Sequence, residues 1–204
     1  MLFFFIALVL SFVFTAFFKY LMFKLGIVDF PDGIRKLHKH PVVLGGGAAL
    51  FLSFWLVIGY ISFFTNLLGK NLNPHDFIGV FIGSFLLLFI GLWDDKKNIS
   101  ARLRFGVVIL AALLAVVGGV GIDKITNPLG GVFSLNNILF FANVVVFLWI
   151  LGMTYTVKIL DGLDGLAVGI TAIGAFIIFC VANGERWYQP DMALVSLVFA
   201  GVCL

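Results

Sequence analysis

The sequence predicts an all-α polytopic membrane protein, with six complete transmembrane helices and a truncated seventh, in a single domain over residues 1–204. Three observations predict it. Of the 204 residues, 62% are apolar and 11% charged, against roughly 45–50% and about 25% in soluble domains. So few charges cannot keep the surface of a globule of this size polar. Charge-free runs of spanning length recur along the chain, and spanning takes about 20 mostly apolar residues. The cations, finally, alternate between successive loops. Helices are the form expected, because backbone amides left unpaired in lipid are costly. The composition excludes a disordered, collagen-like or disulfide-framed chain. The net charge of +3 does not indicate a nucleic-acid partner, because the cations fall in short loops and form no basic face. Cys180 and Cys203 lie in apolar runs, and no disulfide is expected.

The predicted spans follow the uncharged runs 1–18, 41–69, 77–93, 105–122, 125–157 and 165–184, and the seventh run is 192–204. The first run lacks the basic start and small-residue cleavage site of a secretory signal, so it reads as a retained helix. Run 125–157 is too long for one span. Pro128, Gly130, Gly131, Asn136 and Asn137 mark its first part as a loop, with the span beginning near Ile138. The seventh run is too short to cross.

Loops one, three and five, with their flanks, hold Lys19, Lys24, Arg35, Lys36, Lys39, Lys96, Lys97, Arg102, Arg104 and Lys158, whereas loops two, four and six hold Lys70, Lys124 and Arg186. The positive-inside rule puts the first set in the cytoplasm and the N-terminus outside. Every reactive cluster then falls on the cytoplasmic face.

There are three such clusters. In the first loop, Arg35, Lys36, His38 and Lys39 precede Gly45, Gly46 and Gly47 at a helix start. Glycines there let backbone amides approach an anion, which the helix N-terminus favours. A headgroup anchor beside a helix-packing glycine patch is the other reading. The second cluster, Asp94 and Asp95, ends the third span. Adjacent carboxylates disfavour each other's charge unless a cation is present, and a hard divalent metal completed by phosphate oxygens resolves that. A solvated helix end screened by Lys96 and Lys97 fits equally well. The third cluster runs from Lys158 through Asp161 and Gly162 to Asp164 and Gly165. The aspartates share a face if the segment is helical, or one of them caps the next span. Together the clusters supply what phosphoryl transfer needs: a metal to neutralise charge and cations to clamp phosphates.

These motifs resemble the polyprenyl-phosphate N-acetylhexosamine-1-phosphate transferases, the superfamily of WecA-, TagO- and MraY-type enzymes. The resemblance rests on Asp29-x-Pro31 through Arg35-Lys36-x-His38 to Gly45-Gly46, on Gly91-x-x-Asp94-Asp95, and on Asp161-Gly162-Leu163-Asp164-Gly165-Leu166-Ala167. The first segment is more similar to the WecA/TagO branch. The resemblance implies Mg²⁺-dependent transfer of a sugar-1-phosphate from a UDP-N-acetylhexosamine to undecaprenyl phosphate, with release of UMP, at the cytoplasmic face of the inner (plasma) membrane. It implies catalytic roles for Asp94, Asp95, Asp161 and Asp164, with Asp95 and Asp161 as metal ligands. It implies phosphate binding by Arg35, Lys36, His38, Gly45, Gly46, Arg104 and Lys158. The acceptor phosphate is already mostly a dianion at neutral pH, so direct attack is expected, with Asp95 on the metal and Asp94 positioning or deprotonating the acceptor.

The sequence departs from the family where Asn would serve as a metal ligand, three residues before Asp161: Lys158 stands there. A second family Asn is Tyr155, and a family Lys is Arg104. An ammonium has no lone pair for Mg²⁺. Lys158 therefore either snorkels at the membrane surface or donates to Asp94, Asp161 or the substrate diphosphate. The resemblance further implies that the chain is the first two-thirds of an enzyme, inactive alone. A polytopic transporter and a non-catalytic membrane fragment are the rival readings. Against the transporter, no uncharged run contains a mid-span acid.

Overall fold

The computed structural model describes residues 1–29, 41–69, 76–97, 99–122, 124–126, 131–135, 139–163, 165–185 and 188–204. Its helices are α1 (Leu2–Lys24), α2 (Gly47–Phe64), α3 (Asp76–Lys97), α4 (Ala101–Val117), α5 (Leu139–Leu160), α6 (Leu166–Ala182) and α7 (Pro190–Cys203). Two short antiparallel ribbons join them: β1 (Val28–Asp29) with β2 (Val42–Val43), and β3 (Lys124–Thr126) with β4 (Val132–Ser134). Consecutive helices are neighbours, and α7 returns to pack on α1 and α2, which closes the ring.

Four helices, α1, α2, α3 and α5, are long and apolar enough to cross a membrane. This is a membrane protein, and four of the six complete spans expected are shown among the described residues. Helix bounds differ from the uncharged runs. α4 and α6 have 17 residues each, about 26 Å at 1.5 Å per residue, one residue shorter than α2 and at the lower end of spanning length. α4 is bounded by Ser100, whose Oγ accepts from the Leu103 amide at 3.4 Å, and by the turn at Gly118 and Gly119. Conversely, α1 runs past the expected end at Phe18 and carries Lys19 and Lys24, both exposed; long cationic side chains are tolerated near the end of a span.

The ribbons are the second departure. The segment expected as loop pairs Lys124 with Ser134, Ile125 with Phe133 and Thr126 with Val132. In the first loop Val28 pairs with Val43 and Asp29 with Val42. Two- and three-residue strands are too short to show an alternating pattern.

The third concerns α7. Although it has only 14 residues, it is the most enclosed helix among the described residues, with Ala193, Leu197, Val198, Ala200, Gly201 and Val202 all buried. Val198 and Val202 pack with Ala7, Val57, Ile58 and Ile61 as the core. Small residues make this possible, as membrane helix packing requires. A methyl on Gly201 would meet the Phe4 carbonyl at 2.6 Å, and Ser11 Oγ–H donates to the Val202 carbonyl at 2.7 Å. α3 and α4 approach as closely: a methyl on Gly79 would lie 2.6 Å from Gly118 Cα, and one on Gly83 2.8 Å from the Ala111 carbonyl. At the start of α7, the fully buried Asp191 accepts a hydrogen bond from the Gly69 amide at 3.2 Å, tying the α2–α3 connection to the core helix.

Candidate active site

A cleft of about 860 Å³ opens inside the ring of helices. At its polar end stand Gly45, Gly46 and Gly47 between β2 and α2, Asp95 on α3, and Lys158 and Asp161 at the end of α5. Deeper, Leu50, Leu87, Leu88, Phe199 and Val202 make it apolar, with Ser11, Thr15, Thr154 and Thr171 interspersed.

Each polar group is placed by local structure. The β1–β2 ribbon brings the chain back beside the end of α1, where the Leu44 amide donates to the Ile27 carbonyl at 3.2 Å. Gly45 then turns with φ +87°, a left-handed conformation that only glycine enters freely. A methyl on it would press on Met22 at 3.1 Å and Leu92 at 3.2 Å. Gly46 and Gly47 start α2, and nothing lies within 4 Å of where their Cβ atoms would be. Their missing side chains leave α2's first turn bare toward the cleft; the Ala48 and Ala49 amides already donate to the Gly45 and Gly46 carbonyls at 3.1 and 3.0 Å, so it is the positive end of the helix dipole that favours an anion there.

The adjacent aspartates of α3 part company, because successive helical residues point about 100° apart. Asp94 turns toward α4. Its Oδ2 accepts from Arg104 Nη1–H at 2.6 Å and its Oδ1 from the Ile99 amide at 3.1 Å. Asp94 and Arg104 thus brace the α3–α4 corner and do not line the cleft. Asp95 does line it. The Gly45 backbone amide is a hydrogen-bond donor to Asp95, and Asp94 and Asp29 are its negative neighbours.

At the end of α5, Lys158 and Asp161 are three residues apart and share the cleft face, with the Asp161 amide still donating to the Val157 carbonyl at 3.1 Å. Both side chains are exposed, and no carboxylate among the described residues pairs with Lys158. Gly165, φ +76°, starts α6 with no side-chain cap, so Asp161 does not cap that helix. The structure therefore brings together Asp95, Asp161, Lys158, Gly45 and Gly46 of the expected site. Arg35, Lys36, His38 and Asp164 lie outside the described residues. Gly47, the third glycine of the run singled out at the helix start, lines the cleft as well. Asp29 was noticed only as part of a motif, and its place beside Asp95 comes from the ribbon.

Among the described residues, no three His, Cys, Asp or Glu side chains gather to hold a metal. Asp95 and Asp161 instead offer hard oxygen donors from two helices bordering one cleft. That donor set fits Mg²⁺, which is bound through one or two carboxylates with substrate phosphates completing its shell.

Comparison with known proteins gives the same direction. The chain is 29% identical over 194 residues to a probable undecaprenyl-phosphate N-acetylglucosaminyl 1-phosphate transferase of Bacillus subtilis, covering 94% of this chain and 51% of that protein. It is 31% identical over 194 residues to a decaprenyl-phosphate N-acetylglucosaminephosphotransferase of Mycobacterium tuberculosis, covering 89% of this chain and 46% of that one. A phospho-N-acetylmuramoyl-pentapeptide-transferase of Limosilactobacillus fermentum is 27% identical over 164 residues, covering 78% and 49%. The chain spans about half the length of the curated relatives it matches, rather than the two-thirds expected. From the start of α3 onward, residues 77–204 match the glycosyl transferase family 4 pattern, and the chain belongs to that family.

Proposed function

We propose that this chain carries the phosphate-transfer site of an enzyme that moves N-acetylhexosamine-1-phosphate, with N-acetylglucosamine the favoured sugar, from its UDP derivative to undecaprenyl phosphate, releasing UMP. The observation that carries the reading is the single cleft shared by Asp95, Asp161, Lys158 and the bare glycine start of α2, inside a ring of apolar helices. The relatives named as such transferases support it. In this reading α1 to α6 are six crossings, the short α4 and α6 being accommodated by local bilayer thinning. The N-terminus lies outside, and the cleft faces the cytoplasm at the inner membrane.

The chemistry follows from the residues. The positive end of the α2 dipole and Lys158 receive the phosphates. Asp95 and Asp161 would hold Mg²⁺, which when bound neutralises charge on the diphosphate. Lys158 and Asp161 stand exposed at the cleft's polar end, beside its apolar part. The acceptor phosphate needs no base, since it is already mostly a dianion. Asp94, committed to Arg104 and Ile99, acts as a positioning residue that fixes the corner carrying Asp95. In the same reading Arg35, Lys36, His38 and Asp164 complete the phosphate and metal shells from the neighbouring loops.

The test is transfer itself. Membranes holding the gene's full product should form a radiolabelled lipid diphosphate sugar from UDP-N-acetylglucosamine and undecaprenyl phosphate, and should stop doing so in excess EDTA. Transport of an ion or solute by the reconstituted protein without lipid-linked product would support the transporter reading instead.

A further inference from the structure

Lys158 presents a charge problem that the proposed transfer leaves unresolved. It is the single cation among the described residues that line the cleft, and it stands three residues before Asp161 on the same face. No carboxylate among the described residues pairs with it. Asp95 and Asp161 line the same cleft, with Asp29 and Asp94 as negative neighbours of Asp95. A divalent cation entering alone gains the two carboxylates but meets the ammonium. A phosphate entering alone gains the ammonium but meets the carboxylates. A metal–phosphate pair meets its complement on both sides.

We infer that Lys158 couples the two ligands of the cleft, weakening its hold on metal alone and on phosphate alone so that each is bound tightly only with the other. The inference rests on the reading of Asp95 and Asp161 as metal-holding groups. A unit charge facing a divalent ion several ångströms away across partly wetted space changes binding by roughly ten-fold. Linkage requires the phosphate-induced gain in metal affinity to equal the metal-induced gain in phosphate affinity.

The experiment uses the chain in phosphatidylcholine nanodiscs with Mn²⁺ as the probe, bound ion being counted by electron paramagnetic resonance, with and without undecaprenyl phosphate in the bilayer. For the unaltered chain, the lipid phosphate should tighten Mn²⁺ binding about ten-fold or more. In Lys158→Met, Mn²⁺ alone should bind about ten-fold more tightly than in the unaltered chain, and the gain from lipid phosphate should shrink. Lys158→Arg, which keeps the charge, should keep the coupling and so controls for folding. A lysine that merely snorkels into headgroups moves neither quantity: unchanged Mn²⁺ affinity and unchanged phosphate gain in Lys158→Met overturn the inference. Asp95→Asn separates the two levels. Mn²⁺ binding that it leaves intact overturns the underlying metal site. Binding that it removes, together with a silent Lys158→Met, overturns only the coupling.

Discussion

Gly45 and Gly47 are two residues apart, border the same cleft, and should respond to the same substitution in opposite ways. Gly45→Ala places a Cβ on a residue at φ +87°, with Met22 Cγ at 3.1 Å and Leu92 Cδ2 at 3.2 Å. Holding an L-residue in the left-handed region costs about 1–2 kcal/mol. The Met22 and Leu92 side chains must then give by a few tenths of an ångström, at roughly 0.5–1 kcal/mol for off-rotamer strain. The sum is about 1.5–3 kcal/mol, enough to relax the turn whose amide faces Asp95. Gly47→Ala meets nothing within 4 Å and sits at the first residue of α2, where alanine is a better helix former by up to about 1 kcal/mol. Its methyl nevertheless covers backbone that the account assigns to phosphate. Reversible unfolding in mixed detergent, read by circular dichroism, should show Gly45→Ala destabilised and Gly47→Ala unchanged or stabilised. Partition of undecaprenyl phosphate into nanodisc-bound chain should fall in both. Equal stability of Gly45→Ala and the unaltered chain would refute the backbone argument, and full phosphate binding by Gly47→Ala would refute the anion role of the α2 start.

Three further outcomes are expected. Asp94→Ala removes both the Arg104 ion pair and the acceptor for the Ile99 amide. With Asp94 20% and Arg104 36% exposed, the pair itself contributes only about 0.5 kcal/mol, and the lost acceptor for the Ile99 amide raises the total to about 1–2 kcal/mol. Arg104→Ala should therefore cost measurably less, as a double-mutant cycle would show. Gly79→Ala forces α3 from α4, because its methyl would lie 2.6 Å from Gly118 Cα and 2.7 Å from the Leu114 carbonyl. A loss above about 2 kcal/mol is expected, whereas Gly91→Ala, with open space around it, should be neutral in the same unfolding assay. For topology, a reporter in residues 70–75 should signal outside and one near residue 98 should signal in the cytoplasm, and the reverse pattern would overturn the orientation.

Much of the architecture was legible because lipid imposes a simple demand, long apolar helices, and the runs locate the seven found among the described residues. Their lengths were less legible, since a run of uncharged residues includes the turns at Gly118–Gly119 and Asn183 that end α4 and α6. The central place of α7 was hidden for another reason. Ala193, Ala200 and Gly201 are small residues that say how closely a helix can be approached, but not which helix approaches it. The buried Asp191 gave no signal, because one acid beside a proline reads like any helix start. In the site, residue types were readable and directions were not. Asp94-Asp95 looks like one acidic pair, and helical rotation sends one aspartate to Arg104 and the other to the cleft. The three glycines look alike, yet Gly45 answers a backbone conformation while Gly46 and Gly47 leave space. The coincidence of Lys158 and Asp161 with Asp95 depends on how α3 and α5 pack on either side of α4, which no local pattern encodes.

The central claim is that Asp95 and Asp161, from separate helices, serve one metal–phosphate site. A double-mutant cycle on Mg²⁺-dependent UMP release by the gene's full product tests it most directly. Asp95→Asn and Asp161→Asn should each lower the rate by about 10²-fold or more, the scale of a lost preorganised charge. Because residues acting as a unit are strongly non-additive, the double variant should be no more than about ten-fold slower than the slower single one. Effects that multiply in full would place the two carboxylates in separate roles, and wild-type turnover in either single variant would contradict the shared site.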